Sequence, residues 1–398
     1  MDIKDLKNLD SSAGKELLAK YRDYRDEDLE KLMFKVDQSE REIMRAVVTL
    51  IKLRHKAKDK FRLAEKMFFT ADGQEQSTGE KIAEYLAERF GEGLQIVDLT
   101  CSIGGNLVYL AQKNNLIAVD RNEANLFCAQ KNAEVYGVAD KIKFILGNAE
   151  ENLLFGTDAF FMDPERAREG KTKTKSILNS SPNLALMLPE MLKITKNIGI
   201  KISPAFDYAE IKKLPEIPEV EIISEDNVCK VAMLWFGKFK TCERRATMFV
   251  GDKKYSFSNE ADKKISVSLT AQPLAFIYEP NKAIIKAHLL DEICEKFSLV
   301  KLNPSIAYLT GDKSLAKENI FRTLRVITFD KYSLKNVQKI IKNHNVLRAN
   351  IISRGFPVSN EDLYKKLKIK EGGDLFLVFT VFKDNKYHFI LSKLEKNI

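Results

Sequence analysis

Three short apolar segments in the first half of the chain each end in an acid or an amide and lead into a turn. The first ends at Asp98, the second at Asp120 and the third at Asn148, and a glycine turn at residues 102–106 follows the first. In a doubly wound sheet, the carboxyl ends of parallel strands meet at one edge, and ligands bind there. The pattern predicts a Rossmann-like α/β domain with a nucleotide-type ligand at that edge.

The residues at these turns favour one cofactor. Gly104 and Gly105 can adopt positive φ and carry no Cβ, so a ligand can lie against the backbone. Asp120 is placed to accept ribose hydroxyls, and Asn148 offers an amide to an adenine edge. Asp98 lies at the mouth of the turn, where a carboxylate repels a pyrophosphate but suits the ammonium and sulfonium of S-adenosylmethionine. The turn also lacks the G-x-G-x-x-G spacing of nicotinamide and flavin dinucleotide sites, so S-adenosylmethionine is the predicted cofactor.

A helix start upstream adds two hydroxyls to the predicted site. The run Ser77-Thr78-Gly79-Glu80 has the pattern of a capping box. The positive end of the helix dipole and the hydroxyls of Ser77 and Thr78 suit a ligand carboxylate. The predicted cofactor-binding residues are Ser77, Thr78, Asp98, Thr100, Gly104, Gly105, Asn106, Asp120, Arg121, Asn148 and Ala149.

A fourth predicted strand, at residues 159–162, runs into Asp163-Pro164-Glu165-Arg166. Proline stiffens the turn, so acceptor groups can be held beside a methyl donor. We predict catalytic roles for Asp163, Pro164 and Arg166, whose guanidinium can stack on a base or bind a phosphate. The lysines that follow are predicted to bind a phosphate chain; they are Lys171, Lys173 and Lys175.

The net charge of +9 lies in the last part of the chain. Residues 321–398 hold 16 Lys and Arg against 7 Asp and Glu, which leaves 49 against 49 in the first 320 residues. A neutral body with a basic tail domain indicates a polyanion partner, here RNA; the alternative is a genome-wide excess of lysine on solvated faces. The predicted backbone contacts are Arg348, Arg354, Lys365 and Lys366.

Composition excludes several classes. No apolar run approaches the roughly 20 residues that span a bilayer, and the N-terminus does not have the pattern of a secretory signal; we therefore expect a cytoplasmic protein without membrane contact. The five cysteines form no C-x-x-C pair, so neither a zinc site nor a disulfide framework is predicted. Cys101 is expected to be a packing residue rather than a nucleophile. The sequence does not define an oligomeric state.

The run from Glu80 through Asp98, Gly104 and Asp120 to Ile142 resembles the class I methyltransferase domain of the trimethylguanosine synthase group. It looks closest to bacterial and archaeal methyltransferases that carry a THUMP-like C-terminal domain, and the resemblance continues at residues 278–286, 321–325 and 353–356. It implies methyl transfer from S-adenosylmethionine to a nucleobase, with ferredoxin-like and THUMP-like modules that serve RNA. The chain departs from the group at residues 163–166, where the group has Pro-Pro and an aromatic that stacks on the base, so a cap-guanine substrate does not carry over.

The predicted architecture is α/β, with a Rossmann-like class I methyltransferase sheet of about seven strands. We expect an N-terminal helical region at residues 1–75, the methyltransferase domain at 76–265, a ferredoxin-like module at 266–320 and a basic THUMP-like domain at 321–398. The predicted activity is methylation of a nucleobase nitrogen in a structured RNA, tRNA or rRNA. Two alternatives stay open at this point: a catalytically silent RNA-binding or ribosome-assembly factor, and a small-molecule methyltransferase with a basic appendage.

Overall fold

The structure is a computed structural model of the 398-residue chain. It describes residues 1–32, 37, 41–166, 168–169, 172–173, 176–261 and 263–396, with backbone alone at 168, 169, 172 and 173. The chain forms two compact units: Met1–Pro218 with Met233–Thr241, and Glu219–Ala232 with Cys242–Ile398. The domain boundaries expected from the sequence stay a prediction.

In the part of the chain that the structure describes, six helices precede the first strand. The helices are α1 Ile3–Asp10, α2 Ser12–Tyr21, α3 Asp26–Leu32, α4 Arg41–Ala57, α5 Ala71–Gln76, α6 Glu80–Phe90, α7 Leu107–Leu110, α8 Glu123–Val135, α9 Leu184–Ile194, α10 Tyr208–Ile211, α11 Lys282–Lys286, α12 Leu290–Phe297, α13 Leu334–Asn343 and α14 Asn360–Leu367. The strands are β1 Gln95–Asp98, β2 Asn115–Asp120, β3 Ile142–Leu146, β4 Ala159–Met162, β5 Glu165–Arg166, β6 Arg168–Glu169, β7 Thr172–Lys173, β8 Ser180–Ser181, β9 Ile198–Ile202, β10 Glu219–Glu225, β11 Val228–Trp235, β12 Arg244–Val250, β13 Lys253–Ser258, β14 Phe276–Pro280, β15 Val300–Lys301, β16 Leu309–Gly311, β17 Phe321–Lys331, β18 Asn350–Ser353, β19 Leu375–Val381 and β20 Tyr387–Leu394.

A parallel sheet forms the centre of the first unit. Its strands lie in the order β9-β4-β1-β2-β3, and each neighbouring pair is parallel. The apolar strands β4 and β9 are buried along their whole length, as expected for strands covered on both faces. The predicted strand ends therefore share one sheet edge.

The N-terminal helices pack against this sheet unit. On α4, the side chains of Val47, Leu50 and Ile51 are buried, and they belong to the same apolar cluster as Ile103 of the glycine turn. Asn132 of α8 is fully buried and donates to the carbonyl oxygens of Phe68 (2.9 Å) and Ile103 (2.8 Å). A side-chain amide thus connects the turn to the segment that follows α4.

The predicted capping box at α6 is wrong. The helix begins after Gly79, a residue that has no side chain with which to cap it. Glu80 instead accepts from the main-chain N–H of Arg62 (2.6 Å) and forms an ion pair with the guanidinium of that residue. The Ser77 hydroxyl donates to the carbonyl oxygen of Gln74 (3.0 Å). Tertiary contacts with the Arg62 segment have replaced the local cap.

The second unit is built around a sheet with the order β15-β16-β14-β17-β20-β19-β18. Strand β14 pairs with β17, so the chain on either side of residue 320 contributes neighbouring strands to one sheet. The predicted hairpin is confirmed: β19 and β20 are antiparallel and joined by the turn that contains Asn385. The same unit holds antiparallel β12 and β13, with β10 parallel to β12. Strand β11 is divided, with residues 228–232 in this unit and 233–235 in the first.

Candidate active site

Three of the predicted acids lie at one edge of the parallel sheet. Asp98, the last residue of β1, is level with Ala118 of β2 and Phe161 of β4. Asp120 ends β2, and Asp163 follows β4 directly. The edge therefore brings together carboxylates that are up to 65 positions apart in sequence (163 − 98).

Thr100 connects two of these acids. Its main-chain N–H donates to Asp98 Oδ1 (3.1 Å), and its hydroxyl accepts from the main-chain N–H of Asp163 (2.7 Å). The turn after β4 is thus held to the turn after β1 by a side chain that the sequence had placed in the cofactor site. This contact fixes the position of Asp163 relative to Asp98.

Asp120 holds the glycine turn against β2. Its Oδ2 accepts from the N–H of Ser102 and its Oδ1 from the N–H of Asn122, both at 2.8 Å. Burial raises the pKa of the Asp120 carboxyl above its ordinary value, and these two N–H groups oppose the rise. Each carboxylate oxygen has further lone pairs, so the side chain can still accept ligand hydroxyls.

Asp98 is the most deeply buried of the acids, with 1% of its surface exposed. Burial raises its pKa to about 8, and the neighbouring carboxylates of Asp163 and Asp120 add to the rise. The desolvated group is therefore protonated at neutral pH until a cation approaches. A ligand ammonium or sulfonium would supply the opposite charge that stabilises its ionised form.

The glycine turn is packed closely against neighbouring segments. Gly104 has φ +85°, and a Cβ there would lie 3.3 Å from the Ala129 Cα. A Cβ at Gly105 would lie 3.3 Å from the Ser77 Cβ. The Ser77 segment therefore lies directly beside the turn, as predicted.

Two buried polar atoms near this turn have no hydrogen-bond partner among the described residues. They are Thr78 Oγ1 and Asn106 Oδ1. Buried polar groups without partners are rare in folded proteins and call for an explanation such as a ligand. Both residues belong to the predicted cofactor set, and a ligand with polar groups at this place would satisfy them.

The predicted adenine side of the site is more open. Asn148 is exposed, and its amide donates to Glu151 Oε1 (3.1 Å). Ala149 is buried, while Arg121 is exposed. The positive charge of Arg121 opposes the rise that burial causes in the pKa of Asp120. These positions follow β2 and β3 as expected, and their contact with an adenine stays a prediction.

Sequence reasoning missed Lys201. This residue lies in the buried strand β9, and its ammonium forms an ion pair and hydrogen bond with Asp163 Oδ2. The lysine side chain is 11% exposed and the aspartate side chain 31%. A lysine within the otherwise apolar run Ile198-Gly199-Ile200-Lys201-Ile202 was the available signal, because a buried ammonium needs a partner.

A pocket lies beside the Asp-Pro turn. Strand β5, which contains Arg166, pairs with β8 in antiparallel orientation, and β9 ends on the other side. The residues that line it are Pro164, Arg166, Ser176, Ile177, Ser180, Ile202, Ser203 and Phe206. Two of the predicted catalytic residues, Pro164 and Arg166, are therefore pocket walls, whereas Asp163 faces Lys201.

The predicted RNA contacts have different surroundings. Arg348, Lys365 and Lys366 are exposed. Arg354 donates to Glu279 Oε1 (2.6 Å), and Arg322 pairs with the other oxygen of that carboxylate (2.8 Å), so Arg354 belongs to a half-buried ion-pair cluster. Lys171 and Lys175, and the side chain of Lys173, lie outside the described residues.

The described residues show no metal-binding cluster of cysteines and acids. The Cys101 thiol is buried, and burial raises its pKa well above the ordinary value. Within the described ranges there is no group of three His, Cys, Asp or Glu side chains that could hold a metal ion. The helices of that part of the chain also include none with the length and apolar character of a bilayer-crossing segment.

Comparison with known families agrees with this geometry. Residues 94–238 match a family model described as RNA cap guanine-N2 methyltransferase, and residues 320–393 match one described as THUMP domain-like. Both parts of the resemblance drawn from the sequence are thereby confirmed.

Individual relatives extend the comparison. The "uncharacterized S-adenosylmethionine-dependent methyltransferase Rv3037c" of Mycobacterium tuberculosis is 24% identical over 78% of this chain and 84% of its own length. A 23S rRNA (uracil(747)-C(5))-methyltransferase of Pyrococcus abyssi is 31% identical over 34% of each chain. A crystal structure of a methyltransferase from Porphyromonas gingivalis W83 covers 100% of both chains with a TM-score of 0.82 and 21% identity. The last match confirms the predicted class I methyltransferase fold with C-terminal α+β modules.

Proposed function

We propose that this chain, which is an S-adenosylmethionine-dependent methyltransferase, transfers the methyl group to a nucleobase nitrogen of a structured RNA, tRNA or rRNA. The observation that carries the proposal is the position of Asp163: the turn after β4 is bonded through Thr100 to the acid at the end of β1. An acceptor carboxylate is therefore held next to the cofactor edge. Support for RNA comes from the two family matches and from a relative that methylates 23S rRNA.

The residues at the edge fit S-adenosylmethionine. The buried Asp98 suits a cationic ligand, Asp120 keeps acceptor capacity for ribose hydroxyls, and Gly105 lies directly beside the Ser77 segment. Thr78 Oγ1 and Asn106 Oδ1 are buried polar atoms that a polar ligand would satisfy. We assign these five residues to cofactor binding.

The cofactor supplies a methyl group on a positively charged sulfur, which is electrophilic without further activation. What the chain must add is alignment of the nitrogen with that methyl group and exclusion of water. The Asp163 carboxylate accepts an N–H of the base and orients the nitrogen lone pair toward the methyl group. Lys201 holds that carboxylate in place through an ion pair and hydrogen bond, so it is a positioning residue.

No cysteine is available for the covalent step that pyrimidine C5 methylation requires. Cys101 is the cysteine beside the cofactor turn, and its thiol is held protonated by burial. The likeness to the uracil-C5 enzymes therefore supports an RNA substrate but not their chemistry. We accordingly assign transfer to a nitrogen.

RNA would be held by the second unit. The exposed Arg348, Lys365 and Lys366 belong to the segment that matches the THUMP-like model. Contacts from such side chains to phosphates position an RNA without reading its sequence. A target base in a duplex would have to leave its stack to reach Asp163.

The proposed location of the protein is the cytoplasm.

Methyl transfer from radiolabelled S-adenosylmethionine to total RNA from cells that lack the gene tests the proposal. Nucleoside mass spectrometry of the same RNA, compared with RNA from complete cells, identifies the product. We expect one methylated nucleoside to be missing in the deletion strain and to be restored in vitro by the purified protein but not by Asp163→Asn. Transfer to small molecules alone, or identical nucleoside profiles, would contradict the proposal; restoration of growth by Asp163→Asn would favour a silent RNA-binding factor.

A further inference from the structure

We propose that Lys60 is a positioning residue for the cofactor: its ammonium holds the segment at residues 74–78 against the glycine turn, and the affinity for S-adenosylmethionine depends on that contact. The inference rests on the proposed function, which assigns Thr78 and Gly105 to cofactor binding. Lys60 lies in the connection between α4 and α5, before the residues expected to form the methyltransferase domain. The N-terminal region would thus contribute to the cofactor site.

The Lys60 ammonium donates hydrogen bonds to three main-chain carbonyl groups of one segment. The acceptors are the oxygens of Gln74 (2.8 Å), Glu75 (2.9 Å) and Ser77 (3.3 Å). They lie at the end of α5 and directly after it, where a helix leaves carbonyl groups without intrahelical partners and where a cation is favourable. A single side chain therefore fixes the path of the main chain over these residues.

The main chain of Lys60 is bonded to the same region from the other side. Its carbonyl oxygen accepts from the N–H of Glu80 (2.8 Å), the first residue of α6. Ser77 and Thr78 therefore lie between two points that Lys60 holds. Thr78 is 5% exposed, and its Oγ1 has no hydrogen-bond partner among the described residues. A buried hydroxyl held in this way is available to a polar ligand.

The segment that Lys60 holds contacts the glycine turn directly. A Cβ at Gly73 would lie 2.3 Å from Ile103 Cγ2. A Cβ at Gly105 would lie 3.3 Å from the Cβ of Ser77 and 3.6 Å from Cζ of the buried Phe61. The turn and the segment therefore touch at two places, and a movement of the segment would change the shape of the cofactor edge.

Order in this segment before the ligand arrives should favour binding. A mobile main-chain segment loses conformational entropy when a ligand orders it, and that loss weakens the affinity. The Lys60 ammonium provides the order in the free protein. The acceptor for the target base should not depend on it, because Asp163 is bonded to Thr100 and Lys201, which lie outside this segment. The expected effect is therefore on cofactor binding rather than on the methyl-transfer step.

Lys60→Met removes the ammonium and keeps the apolar stem, whereas Lys60→Arg keeps the charge and N–H donors. Lys141→Met is a matched control: Lys141 is also half-buried, and its ammonium donates to the carbonyl oxygen of Gln112 (2.8 Å). Both of these residues precede a strand, so they lie at the sheet edge opposite to the cofactor. The readouts are the dissociation constant of S-adenosylmethionine by calorimetry and amide hydrogen exchange of residues 74–78 in the ligand-free protein.

Lys60→Met should raise the dissociation constant by about tenfold or more, since hydrogen bonds from a charged group have that net worth. Hydrogen exchange at residues 74–78 should become faster. Lys60→Arg and Lys141→Met should stay within about threefold of the wild type in affinity. With total RNA and saturating cofactor, kcat of Lys60→Met should stay within about twofold, so that the loss appears in KM for the cofactor.

Equal dissociation constants for Lys60→Met and Lys141→Met would overturn the inference, as would a lower melting temperature of Lys60→Met with unchanged affinity. Lys60→Gln, which keeps N–H donors without the charge, gives a second test if Lys60→Met does not fold. It should bind the cofactor more weakly than Lys60→Arg, and equal affinities of these two variants would contradict a role for the ammonium. Cofactor binding needs no RNA, so a wild-type protein that binds S-adenosylmethionine and methylates no RNA would refute the proposed function alone, and the affinities of the variants would still decide the role of Lys60.

Discussion

Lys201 and Asp163 form an ion pair at the ends of two neighbouring parallel strands: Lys201 is the fourth of the five residues of the buried strand β9, and Asp163 follows β4 directly. Taking an ammonium out of water is costly unless it is paired. The pair therefore fixes the Asp163 carboxylate at the edge of the sheet where β1 also ends. A buried lysine at this place indicates that the position of the Asp163 carboxylate matters for the reaction.

Lys201→Met should lower kcat by at least about tenfold at pH 7, because the Asp163 carboxylate loses the ion pair and hydrogen bond that hold it in place. Lys201→Arg keeps the charge and a hydrogen-bond donor and should recover most of that loss. Calorimetric binding of S-adenosylmethionine should persist in both variants, which shows that they fold. Equal loss of kcat in the two variants would show that the lysine has a purely structural role.

Binding of S-adenosylmethionine should release a proton through Asp98. The free carboxyl has a pKa of about 8, so it is protonated at pH 7, and a bound cation lowers that pKa. Affinity should therefore rise with pH between about 5.5 and 7.5, where the ligand amino group stays charged. Calorimetry at pH 7 in phosphate and in Tris should give different binding heats. For close to one released proton, the two heats should differ by close to the difference between the ionisation enthalpies of the two buffers.

Asp98→Asn is the control for this proton release, and it should also change the stability of the fold. The variant should bind the cofactor weakly, with no proton release. Its fold should gain stability relative to the wild type as pH rises from about 4 to 8: the native carboxyl has the higher pKa, so the wild type loses stability across that window. Equal heats in both buffers for the wild type would disprove a protonated Asp98.

Local sequence patterns were sufficient to predict where the strands of the parallel sheet end. The strand at residues 159–162 has the predicted bounds, because an apolar run acts within a few residues. Asp98, Asp120 and Asp163 were placed together by one rule about parallel sheets. Position along a strand was enough for these residues.

The other features of the site depend on contacts between segments that are far apart in the sequence. Lys201 and Phe206 follow Asp163 by about forty positions, and nothing local specifies that β9 lies beside β4. The capping box failed for the same reason, since Glu80 bonds to the distant Arg62 instead of the helix end. Pairing between distant segments supplied the charge partner, the pocket wall and the helix start that single-segment patterns missed.

Gly104→Ala should weaken cofactor binding by about tenfold or more. Its backbone has φ +85°, and a new Cβ would press on the Ala129 backbone at 3.3 Å, so the turn has to move. Gly91→Ala is the matched control: Gly91 has φ +84° at the end of α6, but a Cβ there meets nothing within 4 Å. Both variants should lose similar backbone stability, and only Gly104→Ala should lose affinity in calorimetry. Equal affinities would remove the glycine turn from the cofactor site.

Two lysines at the end of helix α14 provide the last prediction. Lys365 and Lys366 are exposed in its final turn, so neutralising both should remove phosphate contacts without disturbing the core. Counterion release predicts that each lost contact reduces the slope of log affinity against log salt by about 0.7–0.9. The double variant Lys365→Ala/Lys366→Ala should therefore bind RNA more weakly and with a shallower salt dependence in filter-binding assays. Lys113→Ala/Lys143→Ala changes the net charge equally in the first unit and should leave the slope unchanged. If the two pairs changed the slope alike, the effect would come from net charge, and α14 would have no specific part in holding RNA.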